Sequence, residues 1–150
     1  STKEAMWKER SIRRILELQE RADLLLHSIG AVKSGVPSHV YSGGFLEEKD
    51  YQELRRLDIA GDIATVFFRP DGTFNNIPLN LRASGPSLSM IKEKRAICVV
   101  SGLAKAAGLH AALSGGLVKE VIVDEPTARL LVSKYITKEK DKYLDEKYYI

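Results

Sequence analysis

The sequence predicts an α/β protein that combines a mostly parallel, three-layer sheet with a β-hairpin insertion. In the second half of the chain, short β-branched runs alternate with helical patterns, which is typical of a parallel sheet with helices packed on its faces. In the first half, the run I-A-T-V-F-F breaks at R-P-D-G, a strong turn signal that favours a hairpin. At 150 residues, 44% hydrophobic and 29% charged, the chain has the composition of a single globular domain.

The first half of the chain predicts two amphipathic helices, one strand and the hairpin. Apolar residues recur at helical spacing over residues 11–22, and Ser11 is placed to cap that helix. A strand follows at residues 24–30, and a second helix covers residues 47–57. The hairpin is expected to pair a strand at residues 63–68 with an antiparallel partner at residues 74–81.

The second half predicts helices and strands in alternation. A short helix at residues 87–92 precedes a strand at 95–100, a helix at 104–113 and a strand at 118–123. The last helix begins at Asp124, whose carboxylate can cap it, and is expected to run to about Lys134. Residues 138–148 are rich in charge and tyrosine, and we expect a terminal helix or a frayed end there.

Charge and cysteine content exclude several classes of protein. The net charge of +3 is spread along the chain and forms no basic stripe of the kind that duplex DNA requires. The single cysteine, Cys98, lies in a predicted strand, so there is no disulfide framework and a reducing cytoplasm is expected. The apolar runs are too short to cross a bilayer, and residues 1–21 do not have the pattern of a signal peptide. We therefore expect a cytoplasmic protein with no membrane partner.

The sequence contains no recognised catalytic or metal-binding motif. His27, His39 and His110 lack the spacing of metal ligands, and no serine or cysteine lies in a G-x-S-x-G turn. His27, within an apolar strand, is expected to be a satisfied core or strand-end residue, and Cys98 is expected to be inert. These patterns predict a protein that is not an enzyme and that needs no metal or cofactor.

Three places have residues suited to binding an anion or a sugar, and each also has a purely structural interpretation. The S-G pair at residues 101–102 ends a strand and opens a helix, where backbone N–H groups and Lys105 suit a phosphate; alternatively it is only a tight strand–helix turn. Arg82 could hold a phosphate or carboxylate, or be an ordinary surface arginine. Asp124 and Glu125 could accept sugar hydroxyls, or Asp124 could serve only as a helix cap. The residues alone leave these alternatives open.

Seven stretches occur in a fixed order along residues 11–132. They are S-I-R-R-I-L-E-L-Q-E-R-A-D-L-L-L-H-S-I-G, G-G-F-L, D-I-A-G-D-I, F-F-R-P-D-G, L-N-L-R-A-S-G-P-S-L, V-V-S-G-L-A-K-A-A-G-L-H-A-A-L-S-G-G-L and V-D-E-P-T-A-R-L-L. Their order and spacing resemble the sugar-binding (effector) domain of SorC/DeoR-type bacterial transcriptional regulators. The resemblance implies a Rossmann-like fold akin to phosphosugar isomerases. It also implies a phosphorylated sugar as effector, whose binding controls DNA binding through the oligomeric state.

The same resemblance implies that two parts of the family's pattern lie outside this chain. Members carry an N-terminal helix-turn-helix domain, followed by an early strand with a Gly-rich phosphate loop. Residues 1–150 contain neither pattern, so we expect a single, partial effector domain. It would contact DNA only through a helix-turn-helix domain that is not in this chain, and it would self-associate as a dimer or tetramer.

Carried over position by position, the resemblance implies eight ligand-binding residues. They are Arg82 and Gly85 in the family's R-x-x-G stretch, Gly102 and Lys105 in its G-x-x-K loop, and Asp124, Glu125, Thr127 and Ala128 in its D-E-x-x-A stretch. The chain departs from the family at two places: it has S-G at residues 101–102 where members have G-G, and S-I-G at residues 28–30 where they have G-I-G.

These residues are expected to converge at the carboxyl edge of the parallel sheet. Arg82 and the Gly102–Lys105 loop would face the phosphate, while Asp124 and Glu125 would face the sugar hydroxyls. The alternative function is a sugar-phosphate isomerase-like enzyme that uses Asp124 or Glu125 as its base.

Overall fold

The computed structural model describes residues 2–31 and 39–136, and it contains two sheets and several short helices. The helices are α1 (Thr2–Trp7), α2 (Arg10–Arg21), α3 (His39–Ser42), α4 (Glu48–Arg56), α5 (Leu88–Glu93), α6 (Ala106–Ser114) and α7 (Glu125–Leu131). The strands are β1 (Leu25–His27), β2 (Gly61–Ile63), β3 (Val66–Phe68), β4 (Ala96–Val100) and β5 (Glu120–Val123). Short 3-10 helices lie at Pro78–Leu81 and Leu103–Lys105, and a π-helical turn follows α7 at Val132–Ile136.

The three-stranded sheet is parallel and has the order β1-β4-β5. His27 of β1 is in register with Cys98 of β4, and Val100 of β4 with Val123 of β5. The carboxyl ends of all three strands therefore lie at one edge, which confirms the predicted parallel α/β arrangement.

One face of this sheet packs into the main hydrophobic core. Cys98 and Val100 of the sheet are buried there together with Leu109 and Ala112 of α6 and Phe68 of the hairpin. Because side chains alternate along a strand, the neighbouring positions point the other way. Leu26, Val99 and Ile122 on that opposite face are 69%, 46% and 60% exposed, respectively. The described residues thus leave a continuous apolar surface on the second face.

The hairpin is present, but its strands differ from those predicted. The chain reverses within the predicted strand 63–68, because Ala64 and Thr65 adopt positive φ values of 48° and 71° and form a two-residue turn between β2 and β3. The Asp62 carboxylate stabilises this turn by accepting a hydrogen bond from the Thr65 N–H at 3.1 Å.

The expected antiparallel strand at residues 74–81 is wrong, since Pro78–Leu81 forms a 3-10 helix instead. The R-P-D-G turn itself forms as predicted, with the Gly72 N–H donating to the Arg69 carbonyl at 2.8 Å. A smaller core lies between the 3-10 helix, β3, α3 and α4, and contains Val40, Leu54, Ile59, Phe67, Ile77 and Leu79.

Backbone contacts fix the hairpin against the parallel sheet. Gly30, just beyond β1, exchanges two hydrogen bonds with Asp62, of 2.8 and 3.1 Å. At the far end of the hairpin, Gly72 lies so close to Gly115 at the end of α6 that a Cβ atom on either residue would overlap the backbone of the other. These contacts place the hairpin beside the carboxyl end of β1 and along α6.

Most other elements match the sequence prediction to within two residues. The first strand is an exception, since β1 ends at His27 and not at residue 30 as predicted. Helix α2 begins at Arg10, and its N-cap position is Glu9 without a side-chain cap, so the expected capping by Ser11 is wrong. The helix that follows Asp124 is α-helical only to Leu131 before the π-helical turn. The expected terminal segment at residues 138–148 lies outside the described residues. No helix in the described ranges is long and apolar enough to span a membrane.

Candidate functional site

The carboxyl edge of the sheet brings together three of the predicted residues. The Gly102 N–H donates hydrogen bonds to Asp124 Oδ1 at 3.0 Å and to Thr127 Oγ1 at 3.1 Å. Gly102 has a φ of +113°, a conformation that suits glycine, and a Cβ there would face open space. This turn after β4 and the turn after β5 are therefore joined directly, as expected from strands that end at one edge.

Asp124 is the N-cap of α7, as its sequence context predicted. Its Oδ2 accepts hydrogen bonds from the Thr127 N–H at 3.2 Å and from the Thr127 hydroxyl at 2.9 Å. The Thr127 hydroxyl, followed by the Gly102 and Thr127 N–H groups and the Ser101 side chain, lowers the pKa of Asp124 below its usual value. The ionised Asp124 carboxylate thus accepts hydrogen bonds from both the turn after β4 and the turn after β5. Because its pKa is lowered and both its oxygens are already hydrogen-bonded, it is a poor candidate for a catalytic base.

Other residues of the D-E-x-x-A stretch make local contacts. Glu125 forms an exposed ion pair with Arg129, one helical turn later, with 2.6 Å between Glu125 Oε1 and Arg129 Nη2. Ala128 donates its N–H to the Asp124 carbonyl at 3.0 Å as part of the first turn of α7. Neither contact involves the Gly102 turn, so the binding of sugar hydroxyls by Glu125 stays a prediction.

Lys105 lies at the end of the 3-10 helix that follows Gly102, and its side chain is half-buried. Its positive charge acts on Cys98, where it opposes the burial that raises the pKa of that thiol to about 12. Cys98 is fully buried and its thiol stays protonated at neutral pH, in line with the expectation that it is inert. Lys105 therefore lies close enough to β4 for its charge to act on a residue buried in that strand.

Arg82 and Gly85 lie beside α4 and the hairpin. Arg82 Nη1 pairs with the buried carboxylate of Asp50 at 2.8 Å, and Nη2 donates to the Phe45 carbonyl at 3.3 Å. A side chain at position 85 would clash with the Ala64 carbonyl, so Gly85 packs against the hairpin turn. Within the described ranges, neither residue hydrogen-bonds to the Gly102–Asp124–Thr127 group. Phosphate binding by Arg82 stays a prediction, and a phosphate there would compete with Asp50.

A cavity of about 510 Å³ opens between α4, α6 and the end of β1. Small residues make the room: Ala31 lies just after β1, Ala60 just before β2, and Ala104, Ala107 and Gly108 lie in the 3-10 helix and α6. This cavity was not predicted from the sequence. The small-residue run A-K-A-A-G after β4 is the one signal that could have pointed to it.

The polar residues of the cavity come from α4, α6 and the π-helical turn. The Tyr51 hydroxyl donates to the Tyr41 carbonyl at 2.8 Å, and the Arg55 guanidinium pairs with Glu48 at 3.0 Å. Asp58, which has a positive φ of 50°, His110 and Tyr135 also line the cavity. A ligand would therefore contact mainly aliphatic surface, with polar groups in a few places, as in many small-molecule sites.

His27 is another residue whose environment differs from expectation. Its Nδ1 lies 3.1 Å from the Ser28 carbonyl, while Nε2 is buried and has no hydrogen-bond partner among the described residues. The expectation of a fully satisfied histidine is therefore met at one ring nitrogen only. No group of three potential metal ligands occurs in the part of the chain that the structure describes.

Comparison with known proteins identifies the domain. Residues 1–133 match the family model Sugar-bind, described as "Putative sugar-binding domain". The chain is 32% identical over 127 residues to the deoxyribonucleoside regulator of Bacillus subtilis (strain 168), covering 84% of this chain and 40% of that protein. It is 26% identical over 132 residues to the transcriptional regulator LsrR of Klebsiella pneumoniae, covering 87% and 41%.

Solved structures agree with these matches. A domain of a possible sugar-binding transcriptional regulator from Arthrobacter aurescens TC1 is 47% identical, with a TM-score of 0.77 over 88% of this chain and 50% of that one. A DeoR family transcriptional regulator from Listeria monocytogenes is 27% identical, also with a TM-score of 0.77, over 87% and 52%. The chain thus spans about two fifths of the curated relatives and about half of these solved chains.

The fold and the sequence matches therefore agree. The relatives are named as transcriptional regulators, which confirms the prediction of a regulator domain over that of an isomerase-like enzyme. The resemblance drawn from the seven stretches is confirmed by the family match over residues 1–133. The chain belongs to the sugar-binding domain family of SorC/DeoR-type transcriptional regulators.

Proposed function

We propose that this chain binds a phosphorylated sugar as the effector of a transcriptional regulator, and that it does so in the cavity beside α6. The observation that carries the proposal is the position of this cavity. It lies between Ala31, just beyond β1, and Ala104, just beyond β4, at the carboxyl edge where parallel α/β sheets usually bind ligands. Its volume of about 510 Å³ is within the range of small-molecule sites.

Two features favour a phosphate at the inner end of the cavity. The helical segment that begins at Leu103 presents its positive amino end to this edge. Lys105 is not itself a lining residue, but it lies in the chain between Ala104 and Ala107, which line the cavity, and it supplies a full positive charge. Because the Gly102 N–H is already bonded to Asp124 and Thr127, we assign phosphate binding to the helix end and Lys105 rather than to that N–H. Asp124 and Thr127 hold the turn in place.

In this proposal the other predicted residues have mainly structural roles around the cavity. Ala128 and Glu125 belong to the first turn of α7, which Asp124 caps. Arg82 contacts α4 and Gly85 contacts the hairpin turn, and the segment that joins α4 to the hairpin contains Asp58 and Ala60, which border the cavity. Arg82 remains a candidate for a direct phosphate contact, since its side chain is 55% exposed.

Calorimetry with the whole chain tests the proposal. D-ribose 5-phosphate, 2-deoxy-D-ribose 5-phosphate and D-glucose 6-phosphate are titrated alongside the unphosphorylated sugars. At least one phosphorylated sugar should bind, and Lys105→Ala should weaken it roughly ten- to a hundredfold because a charge-assisted contact is lost. Lys92→Ala, which removes an exposed lysine elsewhere, is the matched control. Equal affinity in wild type and Lys105→Ala would refute the assignment of the phosphate.

The wider regulatory function is part of the same proposal. The domain would act in the cytoplasm, control DNA binding through its oligomeric state, and contact the operator through a helix-turn-helix domain outside residues 1–150. The scattered net charge of +3 supports this division of roles, because sequence-specific DNA binding needs a concentrated basic surface. A gel shift at physiological salt should show no sequence-specific complex with residues 1–150 alone.

A further inference from the structure

Two aromatic residues from separate elements meet at the proposed effector cavity. His110 comes from α6 and Tyr135 from the π-helical turn Val132–Ile136, and both line the cavity. Their rings are stacked, with centroids 4.8 Å apart and planes inclined by 19°. His110 Nε2 also lies 3.4 Å from the Ser114 hydroxyl. The pair forms an aromatic surface in a cavity where half of the other lining residues are alanine or glycine.

The π-helical turn explains how Tyr135 comes to lie there. The turn is wider than an α-helical one and shifts the residues after Leu131 around the helix axis. Such wide turns often occur at functional sites, where they direct one side chain to a place that a regular helix would not reach. Here the turn directs Tyr135 onto His110.

Few of the polar groups around the cavity remain for a sugar. The Tyr51 hydroxyl is bonded to the Tyr41 carbonyl, and Arg55 is paired with Glu48. The Tyr135 hydroxyl has no hydrogen-bond partner among residues 2–31 and 39–136. An aromatic face carries partial negative charge and attracts the C–H groups of a sugar ring, while a phenol hydroxyl can donate to or accept from a sugar hydroxyl.

We infer that His110 and Tyr135 are ligand-contacting residues that recognise the sugar part of the effector. The His110 ring packs against the C–H face of the sugar, because the Tyr135 ring is already stacked on His110 and has the Lys134 ammonium 5.3 Å from its centroid. The Tyr135 hydroxyl hydrogen-bonds to one of the sugar hydroxyl groups. This inference rests on the proposed function, and it divides the cavity in two. Lys105 and the helix end hold the phosphate, whereas the stacked pair holds the carbon skeleton.

The division gives a specific test with two probes, inorganic phosphate and the tightest-binding sugar phosphate of the calorimetric series. Tyr135→Ala and His110→Ala should each weaken the sugar phosphate roughly tenfold while leaving the affinity for inorganic phosphate unchanged. Lys105→Ala should weaken both probes. Ser133→Ala, an exposed change in the same π-helical turn, is the control and should alter neither.

Tyr135→Phe keeps the ring and removes only the hydroxyl, so it should weaken the sugar phosphate by a smaller factor than Tyr135→Ala. It also provides a well-folded variant if an alanine substitution disturbs the turn. Wild-type affinity for the sugar phosphate in His110→Ala and in both Tyr135 variants would overturn the inference while leaving the proposed function intact. Failure of the wild type to bind any sugar phosphate would overturn both.

Discussion

The Asn80 side chain makes the hydrogen bonds to the backbone of β3 that a neighbouring strand would otherwise make. Its side-chain amide accepts a hydrogen bond from the Phe67 N–H at 2.7 Å and donates one to the Phe67 carbonyl at 2.9 Å. One amide group thus satisfies both backbone groups of Phe67, which a neighbouring strand would otherwise do. This is the physical reason that residues 74–81 do not need to form the strand that their apolar pattern predicted.

Replacing Asn80 with alanine should therefore destabilise the protein more than an ordinary surface change. Both backbone groups of Phe67 would lose their partner next to a buried side chain, and we expect a loss of about 1–3 kcal/mol in the free energy of unfolding. Urea unfolding measures this loss. Asn75→Ala, an exposed change in the same segment, should stay within about 0.5 kcal/mol of wild type. A similar small effect for Asn80→Ala would refute the role assigned to the amide.

Asp124 should make the stability depend on pH. Its pKa is lowered in the folded protein, first by the Thr127 hydroxyl, so its contribution is complete above the unfolded value of about 3.9 and disappears as pH falls through the folded pKa. Asp124→Asn should lower the Tm at about pH 6, and the difference from wild type should shrink as the pH falls from about 4 to about 2. Thermal unfolding followed by circular dichroism measures it.

The control for this comparison is Asp23→Asn, which removes one negative charge far along the chain from the α7 cap. A difference between Asp124→Asn and wild type that stayed constant down to the lowest pH would show that the ionised carboxylate is not what holds the two turns together.

At the scale of elements, α1 and α2 stand out because neither contains a buried residue. Lys94, at the end of α5, donates from its ammonium group to the carbonyls of Glu20 and Ala22 at the carboxyl end of α2, and the second of these bonds measures 3.0 Å. A cation at the carboxyl end of a helix also interacts favourably with the helix dipole. Lys94 is thus a main anchor of α2 to the body of the protein.

Lys94→Met should loosen α2 while leaving the core in place. Hydrogen exchange of the α2 amides should accelerate several-fold, while the amides of β4 and α6 exchange as in wild type, because segments with few buried contacts open independently of the core. Lys92→Met, two residues earlier on α5, is the matched control. Equal exchange in α2 for both variants would rule out the anchoring role.

The sequence predicted elements well where the local pattern and the tertiary environment agree. Strands at 95–100 and 118–123, the helix between them and the Asp124 cap all follow from β-branched runs, glycines and capping residues close in the chain. The hairpin was misplaced because its turn uses Ala64 and Thr65, which carry none of the glycine or asparagine signal of such turns. A buried aspartate and distant packing through Gly85 impose the turn instead.

In the candidate site, too, some features could be predicted from the sequence and others could not. Contact between Gly102 and Asp124 was predictable, because parallel strands end at one edge of their sheet. The cavity was not predictable, since alanines at positions 31, 60 and 104 are ordinary residues until the fold brings them together. The ion pair of Arg82 with Asp50 joins residues far apart in the chain, so no local sequence pattern predicts it.

For the whole molecule, the uncovered face of the parallel sheet predicts self-association. Leu26, Val99 and Ile122 lie on three adjacent strands and are each 46–69% exposed, and contiguous apolar surface of this kind usually marks an interface. We expect the chain to form a dimer or larger oligomer through this face, with a second copy as its partner.

Sedimentation velocity tests this expectation. The wild type should sediment as an oligomer whose fraction rises with concentration, and Ile122→Lys should shift it toward the monomer without lowering the Tm appreciably, because the side chain is 60% exposed. Lys119→Ala, an exposed substitution near the start of the same strand, should leave the oligomer unchanged. A concentration-independent monomer for the wild type would contradict the prediction.

The contact between Gly72 and Gly115 has a consequence for how this domain can change over time. The two glycines belong to stretches that look unrelated in the sequence, F-F-R-P-D-G and L-S-G-G-L, yet each excludes a side chain from the other. A mutation that adds a side chain at one of them is not rescued by any substitution at the other, because glycine is already the smallest residue. In homologous proteins the contact can therefore be lost only if the backbone of one turn is displaced. We expect the two glycine-containing stretches to be conserved together or lost together.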